Sequence, residues 1–356
     1  MSRATNSAAT SSIGESPEGS GRVPLVTIGM PVYNGAGYLE EAVCSLLNQT
    51  EKDFVLLISD NCSTDETPEI CARLAAEDPC ISYVKQEANI GVVANFEYVL
   101  RAARSPFFMW AAHDDLWARR FLEESLRLLG GAPDAIGCAV GVRYEDKRGK
   151  VSTVPILPPP ALGSKDVVTR ARSLFLTGAE LVYGVFRRNM LPAAEEAFPN
   201  ITNGDYVFLF RLALRRRFVT TEAVLATKRV VGYEVEYTPD GRITYPKMSG
   251  PEAHLHRRSP HAMCLSMLSS TWSAPLVLWK KTALAANIVG FWFVFWRRIV
   301  LGDSPDRVRR AVAGRRYGRA SLMVARHAIL RPSRAVHLLL RPSRALFELR
   351  REPGGR

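Results

Sequence analysis

Between residues 24 and 146, five apolar β-rich runs alternate with four helical patterns across short polar connections, and this rhythm restricts the fold more than any other feature. The runs are PLVTIGMPVY at 24–33, FVLLISD at 54–60, ISYVKQ at 81–86, PFFMWAAHDD at 106–115 and AIGCAVGVRYED at 135–146. Between them, 37–50 places Leu39, Val43, Leu46 and Leu47 on a helical period. Residues 61–78 supply turn residues, a Thr64-x-x-Thr67 capping region and Pro68 in a first turn. Two further amphipathic segments cover 92–103 and 120–129. Strand and helix in strict alternation predict an α/β fold with a mostly parallel, doubly wound sheet. Ligands of such sheets bind outside the carboxyl ends of the strands. Asn34, Asp60 and the Asp114-Asp115 pair all fall there, on three strand ends.

The first loop has no G-x-G-x-x-G and the chain no G-x-x-x-x-G-K-[ST], which argues against a dinucleotide fold and a nucleotide triphosphatase. A nucleotide site built on carboxylates is left, since two neighbouring aspartates offer hard oxygen ligands to Mg²⁺ or Mn²⁺. Each aspartate also has a plain structural use as a turn or helix cap.

Charge divides the chain unevenly. Residues 297–356 hold 16 arginines against four acids, a net +12 that equals the excess of the whole protein. Just before them, ALAANIVGFWFVFW at 283–296 is uncharged and flanked by lysines and arginines, short for a bilayer span but suited to a monotopic or re-entrant helix. The repeat RPSRA at 331–335 and 341–345 opens short cationic amphipathic helices. This region reads as contacting an anionic membrane surface, with a homo-oligomer interface as a compatible second use. Nucleic acid is not expected as a partner, because aromatics are not interleaved with the arginines. Six cysteines without a C-x-x-C pair suit a reducing compartment, and the amino terminus lacks the apolar core of a secretory signal.

In order and spacing, the segments VTIGMPVYNG at 26–35, YLEEAVCSLLNQT at 38–50, LLISDNCSTDET at 56–67, NIGVVANFEYVLRAA at 89–103 and MWAAHDDLWARRFLEESL at 109–126 resemble family 2 glycosyltransferases. GVFRRNML at 184–191 with NGDYVFLFRLAL at 203–214 extends the resemblance, which runs from about 24 to 235. It implies a GT-A fold and inverting, metal-dependent transfer from a nucleotide diphosphate sugar, with UDP- or dTDP-sugars favoured. By position, Pro31, Tyr33 and Asn34 would hold the nucleoside diphosphate and Asp60 would read the base. Asn89, Gly91 and Asn95 would form the donor loop, Asp114 would contact ribose or sugar hydroxyls, and Asp115 would bind the metal. Asp205 would be the general base, and Arg211, with Arg215 one turn on, would reach donor phosphates; Asp65 would fix its own loop. His113 stands where the family has an Asp, Asn or small residue, and a local hydrogen bond is its expected role. His254 and His256 lie in a long polar stretch expected to close over the donor as a lid.

The expected organisation is a disordered tail at 1–22, the GT-A domain at 23–245, an acceptor or lid segment at 246–279, and a basic amphipathic helical region at 280–356 that associates with membrane or oligomerises. The expected acceptor is a glycan or polyprenyl-diphosphate-linked glycan at the cytoplasmic face of the inner membrane, where the protein would be peripheral or monotopic. A sugar nucleotidyltransferase and a noncatalytic membrane-tethered scaffold are the alternatives; the first would want a basic residue in the loop MPVYNGAGYLEE, which has none.

Overall fold

The computed structural model describes residues 22–296 except 147, 154, 177–178, 202, 231–235, 238–242 and 245–252. The tail at 1–21 and the basic region at 297–356 lie outside the described residues, as do the expectations that fall on them. In chain order the elements begin β1 (Val26–Val32), α1 (Ala36–Leu47), β2 (Phe54–Asp60), α2 (Thr67–Glu77), β3 (Ile81–Lys85), α3 (Val92–Ala102), β4 (Phe107–Trp110), β5 (Leu116–Trp117), α4 (Phe121–Gly130) and β6 (Ala135–Glu145). They continue with α5 (Val167–Ser173), β7 (Val185–Arg187), α6 (Ala194–Ala197), α7 (Gly204–Arg215), β8 (Arg217–Arg229), α8 (Ala253–Ser273) and α9 (Leu278–Trp296).

Two compact bodies divide these elements. Among the described residues, the first takes the chain from 22 through Arg127, then Tyr183–Ala197 and Leu225–Arg229. Its strands run β3-β2-β1-β4-β7, with β1, β2, β3 and β4 parallel and β7 antiparallel to β4. Val26, Ile28, Met30, Leu56, Ile58, Phe108 and Trp110 are buried along these strands, and Leu39, Val43 and Leu46 carry the apolar face of α1 inward. Near-continuous apolar runs are what strands covered on both faces need. Gly29 sets the distance to α3: a Cβ there would lie 2.8 Å from the Val99 side chain, so any larger residue would push the helix off β1. The chain leaves β1 towards β2 and β3 on one side, then returns to pair β4 on the other. That reversal makes a topological switch point at the carboxyl ends of β1 and β4. The fourth strand is shorter than the sequence suggests: it ends at Trp110, the Ala111 amide still donates to the Gly29 carbonyl of β1 (2.9 Å), and a turn follows at 113–114.

The second body holds the described residues of Leu128–Val182, Phe198–Val224 and the chain from Val230 to Trp296. Helix α7 runs through it with Val207, Phe208, Leu209, Phe210, Leu212 and Ala213 buried. Phe175 stacks on Phe291 of α9 with ring centroids 4.5 Å apart and lies 6.1 Å from Phe210. The buried Arg170 guanidinium ties α5 to the end of α7, donating to the carbonyls of Ala213 (2.5 Å), Ser164 (2.8 Å) and Lys165 (3.2 Å).

Two sequence expectations change here. The polar stretch read as a lid is helical from Ala253, so the backbone holding His254 and His256 is not extended. The apolar run 283–296 belongs to α9, and Leu284, Ala285, Ile288, Val289 and Trp292 are buried at helical spacing within the second body. Its apolar stripe is consumed by packing, and no helix among the described residues is long and apolar enough to cross a membrane.

Candidate active site

The switch point is floored by two loops laced together by hydrogen bonds. Asn34, in left-handed conformation at φ 51, accepts the Thr64 amide (2.9 Å) through its side chain and donates its own amide to the Ser63 hydroxyl (2.9 Å). The Gly35 amide donates to Thr67 Oγ1 (2.8 Å), and the Ala36 amide donates to Asp65 (3.1 Å). Burial raises the Asp65 carboxyl, but hydrogen bonds from Thr67 and the Ala36 amide outweigh it and hold the group below its ordinary value. Asp65 fixes the loop, as its position suggested.

A third loop joins them through asparagines. Asn61 donates to Asn89 (3.0 Å) and accepts the Ile90 amide (2.8 Å), while Asn89 also accepts the Gly91 amide (2.9 Å). Gly91, at φ +86, supplies the bend before α3. Tyr33, 45% exposed at the end of β1, is the large aromatic of this edge that faces solvent, whereas Pro31 is buried in the strand opposite Ser59.

Two residues expected to touch the donor do something else. Asp60 is fully buried, and its carboxylate accepts the Ser63 amide (2.9 Å) and the Tyr83 hydroxyl (3.1 Å). It builds the loop from beneath and has no surface to offer a base. Burial and the Asp60 charge together drive the Tyr83 hydroxyl well above its ordinary value, so it remains a donor. Asn95, 2% exposed, exchanges hydrogen bonds with Ser59, accepting its hydroxyl (2.6 Å) and donating to its carbonyl (2.9 Å). It pins α3 to β2.

The carboxylate pair after β4 splits by environment. Asp115, 5% exposed, accepts the Arg229 amide (3.0 Å) and faces Lys228 Nζ at 3.8 Å. Arg229 bonds Glu41 and lies 5.5 Å from the centre of the Tyr38 ring, while Lys228 lies 4.8 Å from that of Tyr183. The expected metal ligand is thereby engaged in joining β8 to the turn. Asp114 is half-buried beside His113 and carries no side-chain hydrogen bond to the described residues. Burial pushes the His113 imidazole below its ordinary value, against the pull of Asp114 and Asp65. Its ring packs where a Gly35 Cβ would stand, 2.5 Å from Cδ2. Glycine at 35 therefore makes room for histidine at 113.

Among the described residues no three His, Cys, Asp or Glu side chains converge on a metal position. Asp114 is the carboxylate of this pair that could serve as a single protein ligand to Mg²⁺ or Mn²⁺, with substrate phosphates and water completing the shell. The sequence reading missed Lys228 and Arg229. Their signal was the same as that of the aspartates, a charged pair closing the strand-like run AVLATKRV.

In the second body, Asp205 stands in the first turn of α7, behind Asn203 in left-handed conformation and a buried Gly204. A Cβ on Gly204 would lie 2.4 Å from the Pro199 carbonyl, so this helix start needs glycine. Arg211, expected to reach donor phosphates, turns to α8 and donates to Ser270 Oγ (3.2 Å).

Residues 27–179 match the profile described as Glycosyl transferase family 2. The likeness to that family is carried by this segment. The match contains the three loops and the carboxylate pair, and ends before Asp205. A Bacillus subtilis relative, the putative teichuronic acid biosynthesis glycosyltransferase TuaG, is 32% identical over 106 residues, covering 30% of this chain and 42% of its own. The chain spans between about a fifth and a third of the length of the first curated relatives it matches. The S. aureus TarS 1–349 structure in complex with UDP-GlcNAc superposes with a TM-score of 0.61 at 15% identity, covering 90% of this chain and 91% of TarS. The mannosyltransferase PcManGT from Pyrobaculum calidifontis, in complex with GDP-Man and Mn²⁺, gives 0.51 at 16% identity, covering 93% and 88%. At these identities the likeness is one of fold, and the fold is GT-A.

Proposed function

We propose that the protein is an inverting glycosyltransferase that moves a sugar from a nucleotide diphosphate sugar to a hydroxyl of a glycan or lipid-linked acceptor. The observation carrying this reading is the β1/β4 switch point, where three loops are cross-bonded and the half-buried Asp114 follows His113, whose ring packs against Gly35 of the first loop. Asn34, Asn61 and Asn89 keep the loop backbone in one conformation, so little ordering remains to be done when a nucleotide enters. Tyr33 offers an exposed ring to a base or ribose. Asp114 takes the cation role and Asp115 the structural one. A divalent cation bound there supplies charge neutralisation for the departing diphosphate.

Asp205 is the proposed general base, taking the proton of the acceptor hydroxyl as that oxygen attacks the anomeric carbon. Its place in a helix start held by Gly204 gives it a fixed backbone, which a base needs to meet one hydroxyl. Asp60 is buried and does not select uracil over other bases, so UDP, the ligand carried by TarS, serves as first probe. TuaG's teichuronic acid assignment and the arginine-rich 297–356 sequence support a surface-glycan acceptor presented at the cytoplasmic face of the inner membrane.

Calorimetry with UDP, dTDP and GDP, with and without Mn²⁺, tests the reading on wild type and Asp114→Ala. Expected is selective binding with a cation-dependent part that the variant loses. Asp205→Asn should bind donor like wild type and lose turnover by about 10²–10⁴-fold. No diphosphate binding by the folded protein would overturn the proposal.

A further inference from the structure

The turn joining α8 to α9 gathers exposed apolar side chains of the described residues of the second body. Trp272 is 41% exposed, Val277 57%, Leu278 67% and Trp279 62%, with Leu265 at 40% one face further along α8. The turn is built rather than frayed. The Ala274 amide donates to the Ser270 carbonyl (3.1 Å), the Lys280 and Lys281 amides both donate to Val277 (3.0 and 3.2 Å), and the Lys281 ammonium closes α8 on the Trp272 carbonyl (2.6 Å). Lys280 lies 5.3 Å from the centre of the Trp279 ring and 3.3 Å from Asp166. A fixed turn that holds two tryptophans, a leucine and a valine in water bears a standing cost that water itself never repays.

We propose that the 272–279 tip enters the interface of an anionic bilayer. The composition chooses this occupant. Tryptophan beside lysine is the pairing that sits at the boundary between acyl chains and headgroups, ring in the apolar layer and ammonium at the phosphates. Helix α9 leads from the tip into a sequence with 16 arginines against four acids, which complements anionic lipid and repels a basic partner such as a second copy of itself. The membrane contact thus belongs to the turn before α9, while the apolar stripe of α9 holds the second body together.

Flotation of the full chain with phosphatidylcholine vesicles, with and without phosphatidylglycerol, tests this on wild type and on Leu278→Asp/Trp279→Ser. Wild type should float with the anionic vesicles. The variant should bind at least about tenfold less, since even partial insertion of two large side chains is worth more than one factor of ten, with its melting transition and UDP binding unchanged. Equal flotation of the variant would place the contact in the arginine-rich sequence alone and overturn the proposal. So would a wild-type dimer that the variant abolishes, since a second copy would then cover the tip. Failure of wild type to float would also overturn it. None of these outcomes depends on donor binding.

Discussion

Truncating Asp115 should unfold the first body more easily, and truncating its neighbour Asp114 should not. The Asp115 carboxylate is 3.8 Å from Lys228 Nζ and 3.0 Å from the Arg229 amide. At an effective dielectric of about 20, Coulomb's law gives about 4 kcal/mol for the charge pair. Desolvation takes back a large part, and Lys228, with 30% of its side chain exposed, can return to water. The amide bond adds about 1 kcal/mol. Asp115→Ala should therefore cost about 3 kcal/mol, whereas Asp114→Ala, at a half-buried position without side-chain hydrogen bonds to the described residues, should cost less than about 0.5 kcal/mol. Urea unfolding followed by intrinsic fluorescence reads the difference, because Trp110 and Trp117 are buried in that body. Calorimetry with UDP and Mn²⁺ reads the other half, with the cation-dependent part lost in Asp114→Ala. If Asp115→Ala kept its stability and lost only that part, the division of labour would be wrong and Asp115 would be the cation ligand.

Gly35→Ala should cost about 1–3 kcal/mol by overpacking and weaken UDP binding, because its Cβ would stand 2.5 Å from His113 and 2.7 Å from Val32; a melting curve equal to wild type would refute this. Arg170→Ala strands three carbonyls and should lower stability by about 3 kcal/mol in the same urea assay, with Arg170→Lys recovering only part, since an ammonium lacks the guanidinium fork. Iodoacetamide at pH 8 followed by mass spectrometry should modify the exposed Cys44 and spare Cys71, Cys80 and Cys264. Burial holds those three thiols up at about 12, so only about one in 10⁴ is thiolate at that pH. Labelling of Cys71 at the rate of Cys44 would contradict the burial.

The strand and helix order of the first body was readable because each element carries its own period. Apolar runs at 26–32 and 54–60 have the length of strands, and Leu39, Val43 and Leu46 mark one helix face. The place of the candidate site was read from the same strands, since strand ends are fixed once the strands are. Roles did not follow. Asp60 looked like a ligand contact because it ends a strand, yet Tyr83, brought close by the Ile58↔Tyr83 register of β2 and β3, takes its carboxylate inward. Arg211 looked like a phosphate ligand because it lies on the helix of Asp205, yet it faces Ser270 on α8. The run 283–296 looked like membrane because an apolar stripe reads the same whether lipid or protein covers it.

By itself the sequence determined the parallel α/β order, the strand ends that make the crevice, and the residues available there, because backbone periodicity and loop position are local properties. Only the tertiary structure decided which of two adjacent aspartates is spent on Lys228 and Arg229, over a hundred positions away. A carboxylate's task is set by what surrounds it in space, and those partners come from elements whose meeting no local pattern records.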